Sequence, residues 1–286
     1  MAIIDLTDSD FENFRKLIYD RSGISLNDSK KELLRTRLRS RLEREGYPSF
    51  RAYLDEVRND TSGMELVLLL DAISTNLTSF YRENGHFQFI KSVVPALAEK
   101  KKKSSDQTFR IWSAGCSSGE EPYTLAFVML EALGDAASHW DVKILGTDLS
   151  TDILRRAMDG RYEIEKMKDL PPHVRDRYFR RETGDIQTKS GKILKNRELS
   201  RIVPEIREMV TFRRLNLMES FPFKHQFDFI FCRNVMIYFD KPTQGVLVNK
   251  FYNFIREGGY LLIGHSESLT GLKNNFKYVQ PTVYQK

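Results

Sequence analysis

The sequence predicts an all-α domain at residues 1–75, followed by an α/β domain at residues 76–286. Three observations support this fold class. Apolar residues recur at helical spacing through the first domain. From Thr108 onward, short apolar segments alternate with amphipathic ones, which is typical of a mostly parallel sheet covered by helices. The alternation stops at about residues 160–215, where we expect a small β insertion.

Four helices are expected in the N-terminal domain, with boundaries set by capping residues and glycines. The first begins with Ser9 or Asp10 as its cap and ends before Gly23. The second is capped by Asp28 or Ser29. The last three of these helices cover residues 30–44, the segment from residue 47 onward, and residues 63–73.

The second helix carries one apolar stripe and many arginines. Leu34, Leu38 and Leu42 recur at a spacing that places them on the same face of the helix. A charged helix face is usually only solvated, but such a face also steers acidic partners. The arginines flank the stripe, with Arg35 and Arg39 on one side and Arg37, Arg41 and Arg44 on the other.

The sheet of the α/β domain begins after a helix at residues 84–99 and a polar surface loop at residues 99–107. Ligands of parallel sheets bind at the carboxyl ends of the strands, so we expect site residues there. Residues 186–195 are predicted to form a hairpin of the insertion that turns near Ser190 and Gly191. Strands are expected at residues 109–113, 141–148, 227–232 and 259–264, and helices at residues 120–133, 151–158 and 242–255.

A turn of small residues, AGCSSG at residues 114–119, joins the first strand to the next helix. Such a turn usually binds phosphate, but Glu120 and Glu121 follow at once and would repel it. Asp148 ends the second strand, where a carboxylate can accept both hydroxyls of a ribose. A cofactor that joins an adenosine to an ammonium and a sulfonium meets both conditions. The two segments therefore predict binding of S-adenosylmethionine.

Two further segments, residues 75–82 and 231–240, carry polar residues among apolar ones. The side chains of Arg233 and Asn234 would be costly in a dry core, so we predict that they line the site. For residues 75–82, a helix cap followed by an apolar face is an equally good explanation, and Tyr238 is compatible with core or site. The polar residues of the first segment include Asn76, Thr78 and Arg82.

Five segments together resemble the CheR family of chemotaxis receptor methyltransferases. They are TNLTSFYRE at residues 75–83, WSAGCSSGEEPYTLA at 112–126, GTDLS at 146–150, FDFIFCRNVMIYFD at 227–240 and GHSES at 264–268. The resemblance implies a helical N-terminal domain, a Rossmann-like methyltransferase domain and a small inserted β subdomain. It also implies methyl transfer from S-adenosylmethionine to glutamate side chains on the cytoplasmic helices of chemoreceptors.

The resemblance also implies a set of site residues. Those expected to bind the cofactor are Asn76, Thr78, Arg82, Glu121, Asp148, Asn216, Leu217, Arg233 and Asn234. In some members of the family, the inserted subdomain docks a pentapeptide from the C-terminus of the receptor. The insertion expected in this sequence is longer than that form.

The acceptor glutamate has an unperturbed pKa near 4.3, so its carboxylate needs no general base at pH 7. The protein must instead supply alignment and a dry site. We predict that Arg82 holds the carboxylate in a fixed fork and that the Tyr238 hydroxyl donates a second hydrogen bond. Arg35, Arg39 and Arg41 are predicted to steer acidic receptor helices, so that replacing them weakens receptor methylation without affecting cofactor binding.

The composition limits the class of protein and its partners. The net charge of +6 favours an acidic partner. No apolar run approaches the roughly 18–20 residues that cross a bilayer, and the N-terminus lacks the features of a signal peptide. We therefore expect a cytoplasmic monomer that does not insert into a membrane. Cys116 and Cys232 suggest no disulfide framework, and no metal-ligand set is predicted.

Three alternative functions agree less well with the sequence. A nucleic-acid methyltransferase shares the fold, but no proline follows Asn234, where methylation of an adenine amino group typically goes with an Asn/Asp-Pro-Pro-aromatic turn. A non-catalytic S-adenosylmethionine sensor would need neither Arg82 nor Tyr238. A nicotinamide dehydrogenase is disfavoured because Asp148 lies farther from Gly115 than the roughly 20 residues of the dinucleotide fingerprint.

Overall fold

The computed structural model describes residues 5–73, 77–187 and 193–286 and confirms an all-α domain followed by an α/β domain. The predicted turn near Ser190 and Gly191 lies outside these ranges. The helices are α1 (Asp8–Ser22), α2 (Lys31–Glu45), α3 (Phe50–Asn59), α4 (Met64–Ile73), α5 (Gly85–Lys103), α6 (Glu120–Leu133), α7 (Thr151–Asp159), α8 (Pro172–Tyr178), α9 (Pro204–Glu208) and α10 (Lys241–Phe254). The strands are β1 (Thr108–Ala114), β2 (Asp141–Asp148), β3 (Arg161–Glu163), β4 (Phe179–Gln187), β5 (Ile193–Ile202), β6 (Val210–Arg214), β7 (Phe227–Cys232), β8 (Ile255–Ile263), β9 (Lys277–Gln280) and β10 (Val283–Gln285).

The N-terminal helices bury their apolar faces in a single core. The predicted stripe of α2, which consists of Leu34, Leu38 and Leu42, is buried in one cluster with Phe14 of α1 and Tyr53 of α3. Each buried leucine contributes about 1.5–3 kcal/mol relative to an exposed one. This packing, more than helix propensity, fixes the orientation of α2 and of the arginines beside the stripe.

The starts of α1 and α2 differ from the prediction. Thr7 caps α1, because its side chain accepts the N–H of Asp10 at 3.1 Å. Asp28 and Ser29 lie in a 3₁₀ turn that precedes α2, and α2 itself has no side-chain cap. Gly23 ends α1 as predicted, with a φ of 72° that favours glycine.

Helix α5 is longer than predicted, because it continues through the polar segment to Lys103. Lysines in the last turn of a helix interact favourably with its dipole. Lys101 also pairs with Asp106 at 2.9 Å and with Asp228 at 2.8 Å, which attaches the helix end to β7. None of the helices in the described ranges, α5 included, combines the length and the apolar character needed to span a bilayer.

A seven-stranded sheet with the order β6-β2-β1-β7-β8-β10-β9 forms the centre of the α/β domain. The first five strands in this order are parallel, and the last two add antiparallel strands at one edge. The expected strands correspond to β1, β2, β7 and β8, whereas β6, β9 and β10 are additional. The carboxyl ends of β1, β2 and β7 lie side by side, where ligands of such sheets bind.

The insertion is a three-stranded antiparallel sheet with the order β3-β5-β4. The hairpin predicted at residues 186–195 is the end of a longer one, since β4 and β5 pair from Phe179 opposite Ile202 onward. The expected range of about 160–215 extends too far, because Val210–Arg214 is β6 and pairs with β2 in the large sheet. Val210 and Phe212 of β6 are buried, which fixes its place at the edge of that sheet.

Candidate functional site

A cavity of about 470 Å³ lies beyond the carboxyl ends of β1, β2 and β7. Both domains contribute to its walls, because segment 22–27 of the helical domain lines it together with the strand ends. The predicted residue Asn76 lies outside the described residues. The other residues predicted to bind the cofactor or to act in catalysis all line the cavity, namely Thr78, Arg82, Glu121, Asp148, Asn216, Leu217, Arg233, Asn234 and Tyr238.

The turn after β1 lies against the ends of the neighbouring strands. Gly115 and Cys116 both donate their backbone N–H to the Thr147 carbonyl at 2.8 Å. Gly115 has a φ of 86°, and a Cβ atom there would lie 2.3 Å from Cγ2 of Val235. Glycine is therefore required both by the backbone conformation and by the close approach of the loop after β7.

Asp148 at the end of β2 is held by backbone donors. Its Oδ2 accepts the N–H of Ser117 at 2.9 Å, and its Oδ1 accepts the N–H of Ser150 at 3.0 Å. Burial raises the pKa of this carboxyl, and the hydrogen bonds from Ser150 and Ser117 oppose the shift. Each carboxylate oxygen keeps a lone pair beyond these bonds, so Asp148 can still accept hydroxyl groups.

The two glutamates after the turn have different surroundings. Glu121 lines the cavity, and its Oε1 accepts a hydrogen bond from Ser113 Oγ at 2.7 Å. Burial raises the pKa of Glu121, and nearby Arg233 opposes that shift. Glu120 is fully buried away from the cavity lining, where it accepts from Ser118 Oγ at 2.6 Å and pairs with Lys166. Of these two glutamates, only Glu121 is therefore available to a ligand in the cavity.

Arg233 is a buried cation between two carboxylates. Its side chain is 2% exposed, with Nη1 3.5 Å from Glu121 Oε2 and Nη2 3.4 Å from Glu83 Oε2. The guanidinium also donates to the Arg82 carbonyl and lies 5.3 Å from the centre of the Phe87 ring. Its Nε and Nη1 have no hydrogen-bond partner within the described residues. A buried guanidinium with spare donors suits an anionic ligand group.

The loop after β7 is held by Glu267, a residue that the sequence reasoning did not assign to the site. Its carboxylate accepts backbone N–H groups from Gly264 at 2.6 Å, Asn234 at 3.0 Å and Ile237 at 3.2 Å. Burial raises the pKa of Glu267, while the bonds from Gly264, Asn234 and Ile237 oppose the shift. The GHSES segment contains Glu267, so the motif indicated the region but not the role.

Several residues beside the cavity have left-handed backbone conformations. Tyr81, Glu83, Ser117 and Asn234 have φ values of 52°, 55°, 50° and 58°. Non-glycine residues rarely adopt this conformation, and they cluster where the surrounding structure positions functional groups. Glu83 is held there by Asn234 Nδ2 at 3.3 Å and by the N–H of His265 at 3.2 Å.

The helical domain closes one side of the cavity through contacts with the segments after β6 and β7. Ile24 forms an antiparallel bridge with Phe239, and Ser25 donates its N–H to the Tyr238 carbonyl at 2.8 Å. Asn216 Nδ2 donates to the Arg21 carbonyl at 2.7 Å. The cavity wall at Tyr238 and Asn216 therefore depends on the position of the helical domain.

Arg82 is half-buried in the cavity wall. Its Nη1 donates to the carbonyl of Leu77, a lining residue that is 77% exposed. A guanidinium has five N–H donors, so this bond leaves others for an anionic partner. Arg82 therefore places a guanidinium in the part of the cavity wall that adjoins an exposed residue.

The arginines of α2 differ in where they lie relative to the cavity. Leu33 lines the cavity, and Arg37 and Arg44 lie one and three turns beyond it on the same side of α2. By contrast, Arg35 and Arg39 lie about 200° and 240° around the helix from Leu33.

Arg41 differs from the other predicted arginines because it is a packing residue of the helical domain. Its side chain is 13% exposed, its Nη2 lies 2.7 Å from Glu65 Oε2, and its guanidinium packs on the Tyr53 ring. The predicted trio of Arg35, Arg39 and Arg41 is therefore not one surface, and it does not adjoin the cavity.

The β insertion contacts the turn after β1 from behind. Tyr162 donates its hydroxyl to the Ser118 carbonyl at 2.7 Å, and Lys166 pairs with the buried Glu120. Tyr162 is also close to Gly119, since a Cβ atom there would lie 3.1 Å from its hydroxyl oxygen. The start of the insertion therefore positions the turn that carries Ser117 and Glu121.

Replacing Tyr162 with phenylalanine is expected to weaken cofactor binding by about 5- to 10-fold, because the buried Ser118 carbonyl would lose its donor. Tyr178→Phe is the matched control, since the Tyr178 hydroxyl is also buried but has no hydrogen-bond partner in the described part of the chain. Calorimetric titration of both variants measures the difference. Equal cofactor affinity in Tyr162→Phe and the parent would contradict a positioning role for this contact.

The cavity is lined by charged side chains that match the chemical groups of one kind of ligand. Asp148 can accept a pair of hydroxyls, Glu121 can accept a cation, and Arg233 has spare donors for an anion. A nucleoside with an amino acid attached offers all three groups at once. The residues present therefore suit the cofactor that the sequence predicts.

Comparison with known proteins agrees with this conclusion. The family profile described as "CheR methyltransferase, SAM binding domain" matches residues 76–285, and "CheR methyltransferase, all-alpha domain" matches residues 9–74. A chemotaxis protein methyltransferase of Borreliella burgdorferi is 41% identical over 285 residues, which cover 99% of this chain and 96% of that protein. Those of Salmonella typhimurium and Escherichia coli are 37% and 36% identical over 280 residues, covering 98% of this chain and 90% and 91% of theirs. This chain therefore belongs to the CheR methyltransferase family, and its α/β domain binds S-adenosylmethionine.

Proposed function

We propose that this chain transfers a methyl group from S-adenosylmethionine to the γ-carboxylates of glutamates on the cytoplasmic helices of chemoreceptors. The observation that carries the proposal is the Arg82 guanidinium, which lines the cofactor cavity next to the exposed Leu77. A guanidinium matches a carboxylate in shape and charge. The names of the relatives, which are chemotaxis protein methyltransferases, support a substrate in that pathway.

The residues that hold the cofactor follow from their chemistry. Asp148 would accept the ribose hydroxyls, Glu121 would pair with the ammonium, and Arg233 would bind the carboxylate. The bound cofactor supplies an electrophilic methyl group on its sulfonium. The predicted set also includes Thr78, Asn216, Leu217 and Asn234, which line the same cavity.

The acceptor side of the reaction needs orientation and no proton transfer. A glutamate carboxylate is an anion at pH 7, and its methyl ester is neutral, so no base is required. Arg82 would fix one carboxylate oxygen and leave the other free to attack. Tyr238, which also lines the cavity, would donate the second orienting hydrogen bond. Alignment of this kind supplies several kcal/mol of the barrier reduction.

The test uses the purified full chain, methyl-labelled S-adenosylmethionine and a chemoreceptor cytoplasmic fragment. Carboxyl methylation is expected to place label on the fragment, and mild alkali should release it as methanol. Label that resists alkali would contradict glutamate as the acceptor. Cofactor binding without label on several receptor fragments would favour a non-catalytic S-adenosylmethionine sensor. A receptor fragment whose candidate glutamates are replaced by alanine is the control for nonspecific labelling.

The receptor helices are proposed to approach along the side of α2 that continues from the cavity. Lys30 and Leu33 line the cavity, and the exposed Arg44 lies farther along the same side. Chemoreceptor methylation helices are rich in glutamate, so positive charge on this side would steer them toward the site. A cytoplasmic location is part of the same proposal, and one copy of the chain contains every residue that it uses.

Charge reversal at Arg44 is expected to lower kcat/KM for the receptor about 5-fold at low ionic strength, while Arg39→Glu stays within about two-fold of the parent. Both arginines are exposed, at 63% and 45%, and each pairs with a glutamate on α2, so the two variants are well matched. Initial methylation rates at subsaturating receptor measure the effect, and cofactor affinity should be unchanged. Added salt should reduce the difference. Equal losses in both variants would contradict the assigned side.

A further inference from the structure

Glu83, His86 and His265 form a cluster next to the cofactor cavity, but none of them lines it. One ligand atom from each side chain lies within 4.8 Å of the others. Glu83 lies just before α5, His86 lies in its first turn, and His265 follows β8. The sequence spacing indicates no metal-ligand set, because His265 is brought to the other two only by the fold.

The Thr282 hydroxyl lies between the Pro281 carbonyl and His86 Nε2, at 2.7 Å from each. When it donates its only hydrogen to the carbonyl, it accepts the N–H of His86 Nε2. In the neutral ring, Nδ1 is then left with a lone pair. Thr282 has a φ of 62°, an uncommon conformation for a β-branched residue, which indicates that its position is imposed.

The lone pair of His86 Nδ1 faces a second acceptor. Nδ1 lies 3.6 Å from Glu83 Oε2, and neither atom has a hydrogen-bond partner among the described residues. The His86 side chain is 2% exposed, so water does not reach this nitrogen freely. Apart from Arg233, whose Nη2 lies 3.4 Å from Glu83 Oε2, no cation or donor of the described residues serves these two buried acceptors, and such a pair suits a bound cation.

The orientation of the cluster is fixed by outer hydrogen bonds of the kind that metal ligands have. His86 Nε2 is hydrogen-bonded to the Thr282 hydroxyl, and the Oε1 atom of Glu83 accepts from Asn234 Nδ2 and the N–H of His265. Zinc ligand atoms at about 2.0–2.1 Å in tetrahedral geometry lie roughly 3.3 Å apart. The 3.6 Å pair already approaches this spacing, and the exposed His265 is free to complete the set.

We propose that Glu83, His86 and His265 form a binding site for a divalent transition-metal ion of the Zn²⁺ class, and that its occupation weakens cofactor binding. Two imidazole nitrogens and one carboxylate oxygen are a ligand set that Zn²⁺ accepts, with a fourth position open to water beside His265. The charged neighbours on the facing elements are Arg233 and, beyond it, Glu121.

Arg233 would couple the metal site to cofactor binding. Its Nη2 lies 3.4 Å from Glu83 Oε2, the same oxygen that would bind the metal. A divalent cation on this oxygen would repel the guanidinium and remove its counter-charge. Arg233 lines the cofactor cavity, so its displacement would change the anion-binding side of that cavity.

The first test is titration of the metal-free full chain with Co²⁺, a spectroscopic substitute for Zn²⁺, followed by its visible absorption and by calorimetry. The parent is expected to bind one equivalent in a site with histidine ligands. His265→Ala and His86→Gln should each weaken binding by about ten-fold or more. His225→Ala, which removes another exposed histidine, is the matched control and should bind like the parent. Absence of one-equivalent binding, or equal binding by His265→Ala and the parent, would overturn the site.

The second test measures S-adenosylmethionine affinity by calorimetry with and without one equivalent of Zn²⁺. Affinity is expected to fall several-fold in the parent and in His225→Ala, and to stay constant in His265→Ala. His265→Ala removes an exposed side chain and keeps the backbone N–H that donates to Glu83, so this variant should fold even if His86→Gln does not. Unchanged affinity in the metal-bound parent would overturn the link through Arg233. Neither test depends on receptor methylation, so failure of that proposed function would be seen separately.

Discussion

Replacing Arg82 with alanine is expected to lower methyl transfer at saturating cofactor by roughly 100-fold. The variant would lose the donor that fixes the acceptor carboxylate in the cavity. Since the nucleophile is already ionised, its misalignment is the main way in which the rate can fall. Initial rates of alkali-labile labelling, at a cofactor concentration well above the dissociation constant of each variant, measure this effect.

Arg82→Lys is the informative companion to Arg82→Ala. Lysine keeps the positive charge but lacks the planar, two-pronged set of N–H donors. We therefore expect Arg82→Lys to recover part of the methyl-transfer rate that Arg82→Ala loses. Tyr238→Phe should have a smaller effect than Arg82→Ala, because it removes only the second orienting donor. Circular dichroism and melting temperature check that the variants are folded. If Arg82→Ala methylates the receptor within a few-fold of the parent, Arg82 does not hold the substrate.

Replacing Arg233 with methionine is expected to lower the free energy of unfolding by about 3–5 kcal/mol. The side chain is 2% exposed, and it lies 3.4 Å from Glu83 and 3.5 Å from Glu121. Without the guanidinium, the carboxylates of Glu83 and Glu121, which are 13% and 14% exposed, lose their common counter-charge. Each kcal/mol corresponds to a few degrees, so the melting temperature should fall by on the order of 10 °C.

The pH dependence of the Arg233→Met variant tests the cause of this loss. Burial already raises the pKa of Glu121 in the parent, and removal of Arg233 should raise it further. At this carboxyl the folded variant then binds more protons than the unfolded chain, so the contribution of Glu121 to stability increases as the pH falls toward its raised pKa. The deficit relative to the parent should therefore shrink at mildly acidic pH. Arg35→Met is the control, because that side chain is 36% exposed and its ion pairs contribute about 0–1 kcal/mol. Similar melting temperatures for Arg233→Met and Arg35→Met would contradict the electrostatic explanation.

The predictable part of the fold is the part with strong local patterns. The six residues of β7 are all buried, and all of them except Asp228 are apolar. The strands β9 and β10 are short, and Tyr278 of β9 is 65% exposed, so their pairing depends on the edge of β8 and leaves little local pattern. The same holds for β6, whose membership of the large sheet depends on β2 and not on its own five residues.

The residues of the candidate site also differ in how far the local sequence predicts their positions. Asp148 and Arg233 were predictable because polar residues at the ends of buried strands are informative in this fold class. The contact between Arg233 and Glu83 was not predictable, since the two residues come from distant segments. Arg41 resembles its neighbours in the sequence, and only its pairing with Glu65 in the folded domain distinguishes it from a surface charge.

The contacts between the helical domain and the cavity have a consequence for how sequences of this family can diverge. Ser25 donates through its backbone N–H, Arg21 accepts through its carbonyl, and Ile24 pairs through its main chain. Side chains at these three positions can therefore change over evolution while the contacts persist. Tyr19 and Asp240 meet through their side chains at 2.8 Å, so a change at either position can remove that contact. A hybrid that takes its helical domain from a relative should keep its cofactor affinity when the backbone course of residues 21–25 is preserved, a comparison that calorimetry makes directly.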